Sequence, residues 1–300
     1  MMRRTRESGL TLVEVLGSLA IGALLFAALA GVALQSTRAL EATTSSADLT
    51  QDAQFALDRM VDAVRASRKL LIPMPERAAT AYSESQRNVL AVTLDPTLDR
   101  NGDGFPDVDN DRDGRIDEDA DEDLTTDGAP GILGVDDDGD GTADEGDSPD
   151  DDEDGASNED GADGVDNDGD GLVDEDPKAD ANDDGKPGVR SFDDDGDANV
   201  DEGNSEDDDE DGRKNEDWLD ARVFRLVGTT LVERLPDPGA ANGTVFTERT
   251  IAVGVSDFRV GYFASAGAGL PPTLAISLTL TGAGGASATV DTRIRLGGTR

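Results

Sequence analysis

Twenty uncharged residues, Val15–Leu34, follow directly on a single carboxylate, Glu14. As a helix such a run spans roughly 30 Å, the thickness of a bilayer's hydrocarbon core. A carboxylate within a membrane helix costs about 2.5–3.5 kcal/mol at the helix centre, so Glu14 needs a partner. Ahead of it stand Arg3, Arg4 and Arg6, then Gly9 and Leu10. The arginines place the N-terminal end on the cytoplasmic side, and the chain beyond Leu34 on the opposite side. A secretory signal would carry a small-residue cut site after the apolar run, and Ala27-Ala28-Leu29-Ala30 has that form. Neither that reading nor a plain membrane anchor gives Glu14 a use.

Charge divides the chain into two unlike parts. Asp99–Asp217 holds 51 acidic and 8 basic residues, whereas the rest holds 16 acidic and 18 basic, so the overall charge of −41 belongs to one block. No Cys is present, so no disulfide supports the body although an exported compartment would permit one. No His is present either, which excludes Ser-His and Cys-His nucleophilic catalysis and His-ligated zinc. The acidic block would repel phosphates, so nucleic acid is not an expected partner. Carboxylates are abundant, but none stands isolated in an apolar setting that would tune it for acid catalysis, and an enzyme is not expected.

Outside the block, periodicity sets the elements. Leu49, Ala53, Ala56, Met60, Val64, Ser67 and Leu71 recur at three- and four-residue spacing, with Pro73 and Pro75 beyond them. One helix is expected from about Leu10 to about Leu71, its first half in lipid and its second half laid on a globular body. Strand-like runs follow at Asn88–Leu94, Ala221–Val227, Thr230–Arg234, Thr250–Phe263, Thr273–Thr281 and Ala286–Leu296. The fold class expected is α+β, a long transmembrane-plus-amphipathic helix packed on an antiparallel sheet. The divisions are residues 1–9, a helix over 10–72 with its membrane half at 10–34, a sheet domain over 73–98 and 218–300, and an insertion over 99–217.

The insertion repeats. Asp109-x-Asp111-x-Asp113-Gly114-x-x-Asp117 recurs as Asp136-x-Asp138-x-Asp140-Gly141-x-x-Asp144 and as Asp166-x-Asp168-x-Asp170-Gly171-x-x-Asp174. Asp150-x-Asp152-x-Asp154-Gly155-x-x-Asn158 and Asp207-x-Asp209-x-Asp211-Gly212-x-x-Asn215 carry Asn late, and Asp99-x-Asn101-x-Asp103-Gly104-x-x-Asp107 opens the series. Weaker copies are Asp123-x-Thr125-x-Asp127-Gly128, Asp180-x-Asn182-x-Asp184-Gly185 and Asp193-x-Asp195-x-Asp197-Ala198, the last with Asp201 at its ninth position. A shift of 57 residues maps Asp109, Asp123, Asp136 and Asp150 onto Asp166, Asp180, Asp193 and Asp207, so a four-loop unit has been duplicated.

Oxygens at loop positions 1, 3 and 5 converge if the chain turns sharply at position 6, where Gly turns most easily. With the position-7 carbonyl and an oxygen at position 9, they form a Ca²⁺ site of six to eight oxygens. Position 12 is Ala120 in one loop and Pro177 in another, so the bidentate Glu of an EF-hand is missing. Glu118, Asp119, Glu175 and Asp176 are available to complete the shells. Val108, Val135, Val165 and Phe192 before the loops, with Ile116, Val173 and Val200 inside them, would form a thin apolar spine. A disordered acidic tract is the alternative. It needs neither Gly at position 6 nor a fixed period, and the metal-free block would be extended by self-repulsion.

The N-terminal stretch Arg3-Arg4-Thr5-Arg6-Glu7-Ser8-Gly9-Leu10-Thr11-Leu12-Val13-Glu14 resembles the class III leader of type IV pilins and type II secretion pseudopilins. Leu10 departs from the usual Phe. The resemblance implies a pilin fold, cleavage between Gly9 and Leu10 by a prepilin peptidase, methylation of the new N-terminus, and an assembly role for Glu14. Gln51–Met60 and Ile251–Phe263 are similar to the J-type minor pseudopilins and PilW-type minor pilins. The acidic array resembles thrombospondin type 3 and dockerin-like calcium loops. Together these imply a minor pilin or pseudopilin in the bacterial inner membrane, its body in the periplasm and its partners other pilin subunits, with several Ca²⁺ ions bound. A membrane-anchored calcium-dependent adhesin with a pilin-type leader is the alternative.

Overall fold

A computed structural model describes residues 12–73, 89–112, 114–117, 122–151, 153, 155, 157, 180, 184–187, 190–191, 193, 197–207, 210, 212–214, 217–240, 242–263, 272–282 and 285–296. Helix α1, Leu12–Ala66, runs unbroken through the apolar stretch into the amphipathic one. Its Val15–Val32 segment is long and apolar enough to cross a membrane. Past Leu49 the stripe Ala53, Ala56, Leu57, Met60, Val61 and Val64 is buried, so the period read from the sequence is a packing face.

The helix ends sooner than its apolar period. Ser67 still donates its N–H to the Ala63 carbonyl at 3.0 Å, but the N–H groups of Arg68 and Lys69 both go to the Thr93 hydroxyl, at 2.9 and 3.0 Å. Thr93 thereby replaces the next helical acceptors. Leu71, expected on the helix, lies instead in strand β1, Leu70–Ile72. Seven more strands follow: β2 Val89–Thr93, β3 Ala221–Val227, β4 Thr230–Pro236, β5 Phe246–Val253, β6 Val255–Phe263, β7 Thr273–Thr281 and β8 Ser287–Arg295. They form two antiparallel sheets, β1-β2-β3-β4-β5 and β6-β7-β8.

The single run expected over Thr250–Phe263 is two strands in different sheets. Gly254 makes the break, at φ 73°, and a Cβ there would stand 2.7 Å from the Thr281 carbonyl oxygen. Only glycine takes that bend so close to another strand. Both sheets then face the helix: Leu90, Phe224, Leu231 and Ala252 from the first, and Phe258, Ile276, Leu278 and Ile294 from the second, share one core with its stripe. Each large side chain fully buried there stabilises the body by about 1.5–3 kcal/mol. The architecture is an N-terminal apolar helix on antiparallel sheets.

The acidic block connects β2 to β3, which are neighbours paired from Val89↔Arg225 to Thr93↔Ala221. Its two ends therefore meet, with Leu94 donating to the Asp220 carbonyl at 2.9 Å. The first part of the block lies back on the sheet. Ile132 and Val135 pack with Ile72, Val89, Ala91 and Val223, and the Arg225 and Arg234 guanidiniums donate to the Gly134 and Leu133 carbonyls. The expected spine is corrected accordingly. Val108 and Val135 are buried, but Val135 packs on the sheet rather than along the array, and Val200 is 53% exposed. Val165, Val173 and Phe192 lie outside the described residues.

Candidate cation-binding loops and the N-terminal motif

Among the described residues, eight loops make the same turn. The position-6 N–H donates to the position-1 carboxylate from Gly104 to Asp99 (3.2 Å), Gly114 to Asp109 (3.1 Å), Gly128 to Asp123 (2.6 Å) and Gly141 to Asp136 (3.1 Å). The remaining pairs are Gly155 to Asp150 (3.0 Å), Gly185 to Asp180 (2.7 Å), Ala198 to Asp193 (3.1 Å) and Gly212 to Asp207 (3.1 Å). Each of these eight position-6 residues has positive φ, including Ala198 at 81° where a Gly is missing. Position 5 turns inward as well, with Asp103, Asp127, Asp140, Asp184 and Asp197 each accepting the N–H two residues on.

The duplication is repeated in the hydrogen bonds. Asp144 accepts the Gly134 N–H at 2.6 Å, and Asp201, 57 residues on, accepts the Ser191 N–H at 2.6 Å. Glu153 accepts the Asp144 N–H at 2.7 Å, and Glu210 accepts the Asp201 N–H at 2.7 Å. Glu153 and Glu210 share positive φ, 59° and 65°.

Among the described residues, two groups bring carboxylates together tightly. Asp136, Asp138 and Glu153 form one, and Asp138, Asp140 and Glu145 the other, with one ligand oxygen from each residue within 4.8 Å of the others. Two oxygens on one Ca²⁺ at 2.3–2.6 Å can stand at most about 5 Å apart, so both groups fit a calcium shell. The donors are all hard oxygens, which favour Ca²⁺ or Mg²⁺ over softer metals.

Glu153 was not legible as a ligand, since it stands at position 4 of the following loop and crosses to this one. Glu153 is 96% buried, and its carboxylate also accepts the Asp137 N–H at 2.8 Å. Burial pushes Glu153 up to about 7, against backbone hydrogen bonds from Asp137 and Asp144 that pull the other way. Burial likewise raises Asp137 well above the usual carboxylate range, and the Glu153 charge adds to it. Such carboxylates call for a proton or a cation.

Other expected ligands are placed differently. Asp107 is gripped by Arg100, whose Nε donates to it at 2.5 Å, so its carboxylate serves an ion pair rather than standing open at position 9. Asp103 pairs with Arg112 at 3.0 Å on an exposed loop. Asp113, Asp152, Asp154, Asn158, Asp166, Asp168, Asp170, Asp174, Asn182, Asp195, Asp209, Asp211 and Asn215 lie outside the described residues, as do Gly9 and Leu10. Glu14 lies in the first turn of α1.

Residues 4–30 match the family model of the prokaryotic N-terminal methylation motif. The leader is type IV pilin-like. That motif implies processing by prepilin peptidase, and with the Val15–Val32 helix it points to membrane anchoring. No curated protein and no solved structure matches the chain.

Proposed function

We propose that this chain is a minor pilin or pseudopilin: a non-catalytic subunit, inserted in the inner membrane, cut after Gly9, and built into a type IV pilus or type II secretion pseudopilus. The observation that carries the reading is the methylation motif at residues 4–30 leading into one unbroken helix. That helix passes from a span of membrane length to a stripe buried under antiparallel sheets. Glu14, set at the start of the span, would neutralise the amine of Leu10 in its own or an adjacent subunit. The bulky acidic block argues against a repeating major subunit.

The acidic block is, in this reading, a calcium-stabilised module. The carboxylate groups around Asp138 support it, together with the shared position-6 turn. Apo loops repel one another over about 8 Å at physiological salt, and bound ions would relieve this. The test is site-specific photo-crosslinking from the α1 segment in cells that make a pilus or pseudopilus, with mass spectrometry of the N-terminus. Crosslinks to other pilin subunits and a methylated Leu10 are expected. An uncut chain crosslinked to no pilin overturns the assembly reading.

A further inference from the structure

Two Asn-Gly pairs stand in the chain, Asn101-Gly102 and Asn242-Gly243. A glycine after asparagine leaves its backbone nitrogen open to the asparagine side-chain carbonyl carbon, because no Cβ shields it. The two pairs sit in unlike surroundings. A Cβ at Gly243 would stand 2.1 Å from the Thr125 carbonyl oxygen, so that backbone is packed against the acidic block, and Asn242 is half-buried. A Cβ at Gly102 would meet nothing within 4 Å, and Asn101 and Gly102 are both exposed.

The loop around Asn101 is fixed at its base and lightly held at its tip. At the base Asp107 donates its N–H to the Leu98 carbonyl at 2.5 Å, and Arg100 grips Asp107 and the Pro236 carbonyl. At the tip the Asp99 carboxylate accepts the Gly102 and Gly104 N–H groups at 2.6 and 3.2 Å. Asn101 bends back on Asp103, accepting its N–H at 3.0 Å and donating to its carboxylate at 2.9 Å. Bonds as exposed as these open locally while the base stays shut.

We propose that Asn101 is a site of spontaneous deamidation, gated by the hold of Asp99 on the Gly102 nitrogen. When the tip opens, that nitrogen gives its proton to solvent and bonds to the Asn101 Cγ, and the side-chain nitrogen leaves as ammonia. The product is a cyclic succinimide. Water then opens the ring: breaking the bond to Cγ gives aspartate, and breaking the bond to the main-chain carbonyl carbon gives isoaspartate. In sum an amide and a water become a carboxylate and an ammonium ion, with no oxidant and no bound metal.

Each product alters the loop. Aspartate replaces the Nδ2 donor that Asp103 now accepts with a like charge. Isoaspartate carries an extra carbon into the main chain ahead of Gly102, so Asp99 no longer holds both Gly102 and Gly104. Either change opens the tip, while the Arg100–Asp107 pair keeps the base.

The detergent-solubilised full chain, incubated at mildly alkaline pH and sampled over days, is digested and mapped by mass spectrometry, with isoaspartate separated by chromatography. The Asn101 peptide should gain the mass of an amide-to-acid exchange several-fold faster than the Asn242 peptide. In denaturant that difference should largely vanish. Asp99→Ala, which releases the Gly102 N–H, should quicken conversion, and hydrogen exchange in the aged chain should rise over 102–104 but not at Asp107. Conversion at Asn242 that equals or outruns Asn101 in the folded chain overturns the site. A rate unchanged in Asp99→Ala overturns the gate. Should that variant fail to fold, the ratio of the two pairs in the unaltered chain, folded against denatured, still decides.

Discussion

The Glu233 carboxylate on β4 meets the Arg59 guanidinium of α1 at 2.7 Å, with the glutamate side chain wholly buried. Arg222 of β3 and Arg249 of β5 close on the same carboxylate at 2.5 and 2.9 Å. Burial alone would raise Glu233; the Arg59 hydrogen bond and the Arg222 charge overcome it and hold the group below its ordinary value. One side chain thus joins the helix to three strands.

Removing that centre strands three guanidiniums. Glu233→Ala should destabilise the body by about 3–5 kcal/mol, the range for breaking a buried pair by losing one partner. Arg249→Ala should cost about 1 kcal/mol or less, because its side chain is 59% exposed and its ion pair is screened. Denaturant unfolding of the solubilised chain measures both. Equal losses would show that Glu233 is not the centre of the network.

Leader processing gives a second prediction. Gly9→Val should leave the precursor uncut in the membrane, read as a chain that keeps residues 1–9. Glu14→Ala should still insert and be cut, since the apolar run is untouched, but should not enter a filament. Normal recovery of Glu14→Ala in sheared filaments or pseudopilus preparations would remove the assembly role.

Parts of this were open to reading from sequence, and the exceptions share a cause. The stripe Ala53–Val64 and the alternation in Thr273–Thr281 are local periods, and both sit as expected. The helix end was hidden because Thr93 sets it from across the fold. The division of Thr250–Phe263 was hidden because Gly254 bends only against Thr281. Within the array, the position-1 to position-6 turn lies inside one loop and could be read. Glu153 joins Asp136 and Asp138 from the next loop. No spacing rule reaches that residue.

Ala198 offers a test of the turn itself. It holds φ 81° where Gly141, its counterpart one unit earlier, holds 103°. An L-residue in that region costs about 1–2 kcal/mol, whereas glycine adds about 0.4–1 kcal/mol of unfolded-state freedom. Ala198→Gly should therefore stabilise its loop by roughly 0.5–1 kcal/mol. Gly203→Ala should do the reverse more strongly, since its Cβ would collide with the Asp207 carboxylate. Amide hydrogen exchange across 197–207 reads both changes, and protection lowered by Ala198→Gly would contradict the turn.

Calcium and protons should compete at Glu153. Its folded value of about 7 lies above the ordinary 4.5, so the metal-free native state holds a proton that the unfolded chain has released. The slope of stability with pH is then negative between those values: the metal-free fold is favoured in mild acid and loses this contribution as pH rises through about 7. Asp117, raised to about 6 by burial against the Arg68 charge, acts in the same direction over a narrower window. Ca²⁺ prefers the ionised carboxylate, so saturating calcium should flatten or reverse the slope, and its binding should release protons. Thermal unfolding with EDTA and with calcium, across pH 4.5 to about 7, measures the slopes, and calorimetry in buffers of different ionisation enthalpy counts the protons. Glu153→Gln should remove part of the slope in EDTA and weaken calcium binding together. A variant that keeps both the slope and the affinity would take Glu153 out of the site.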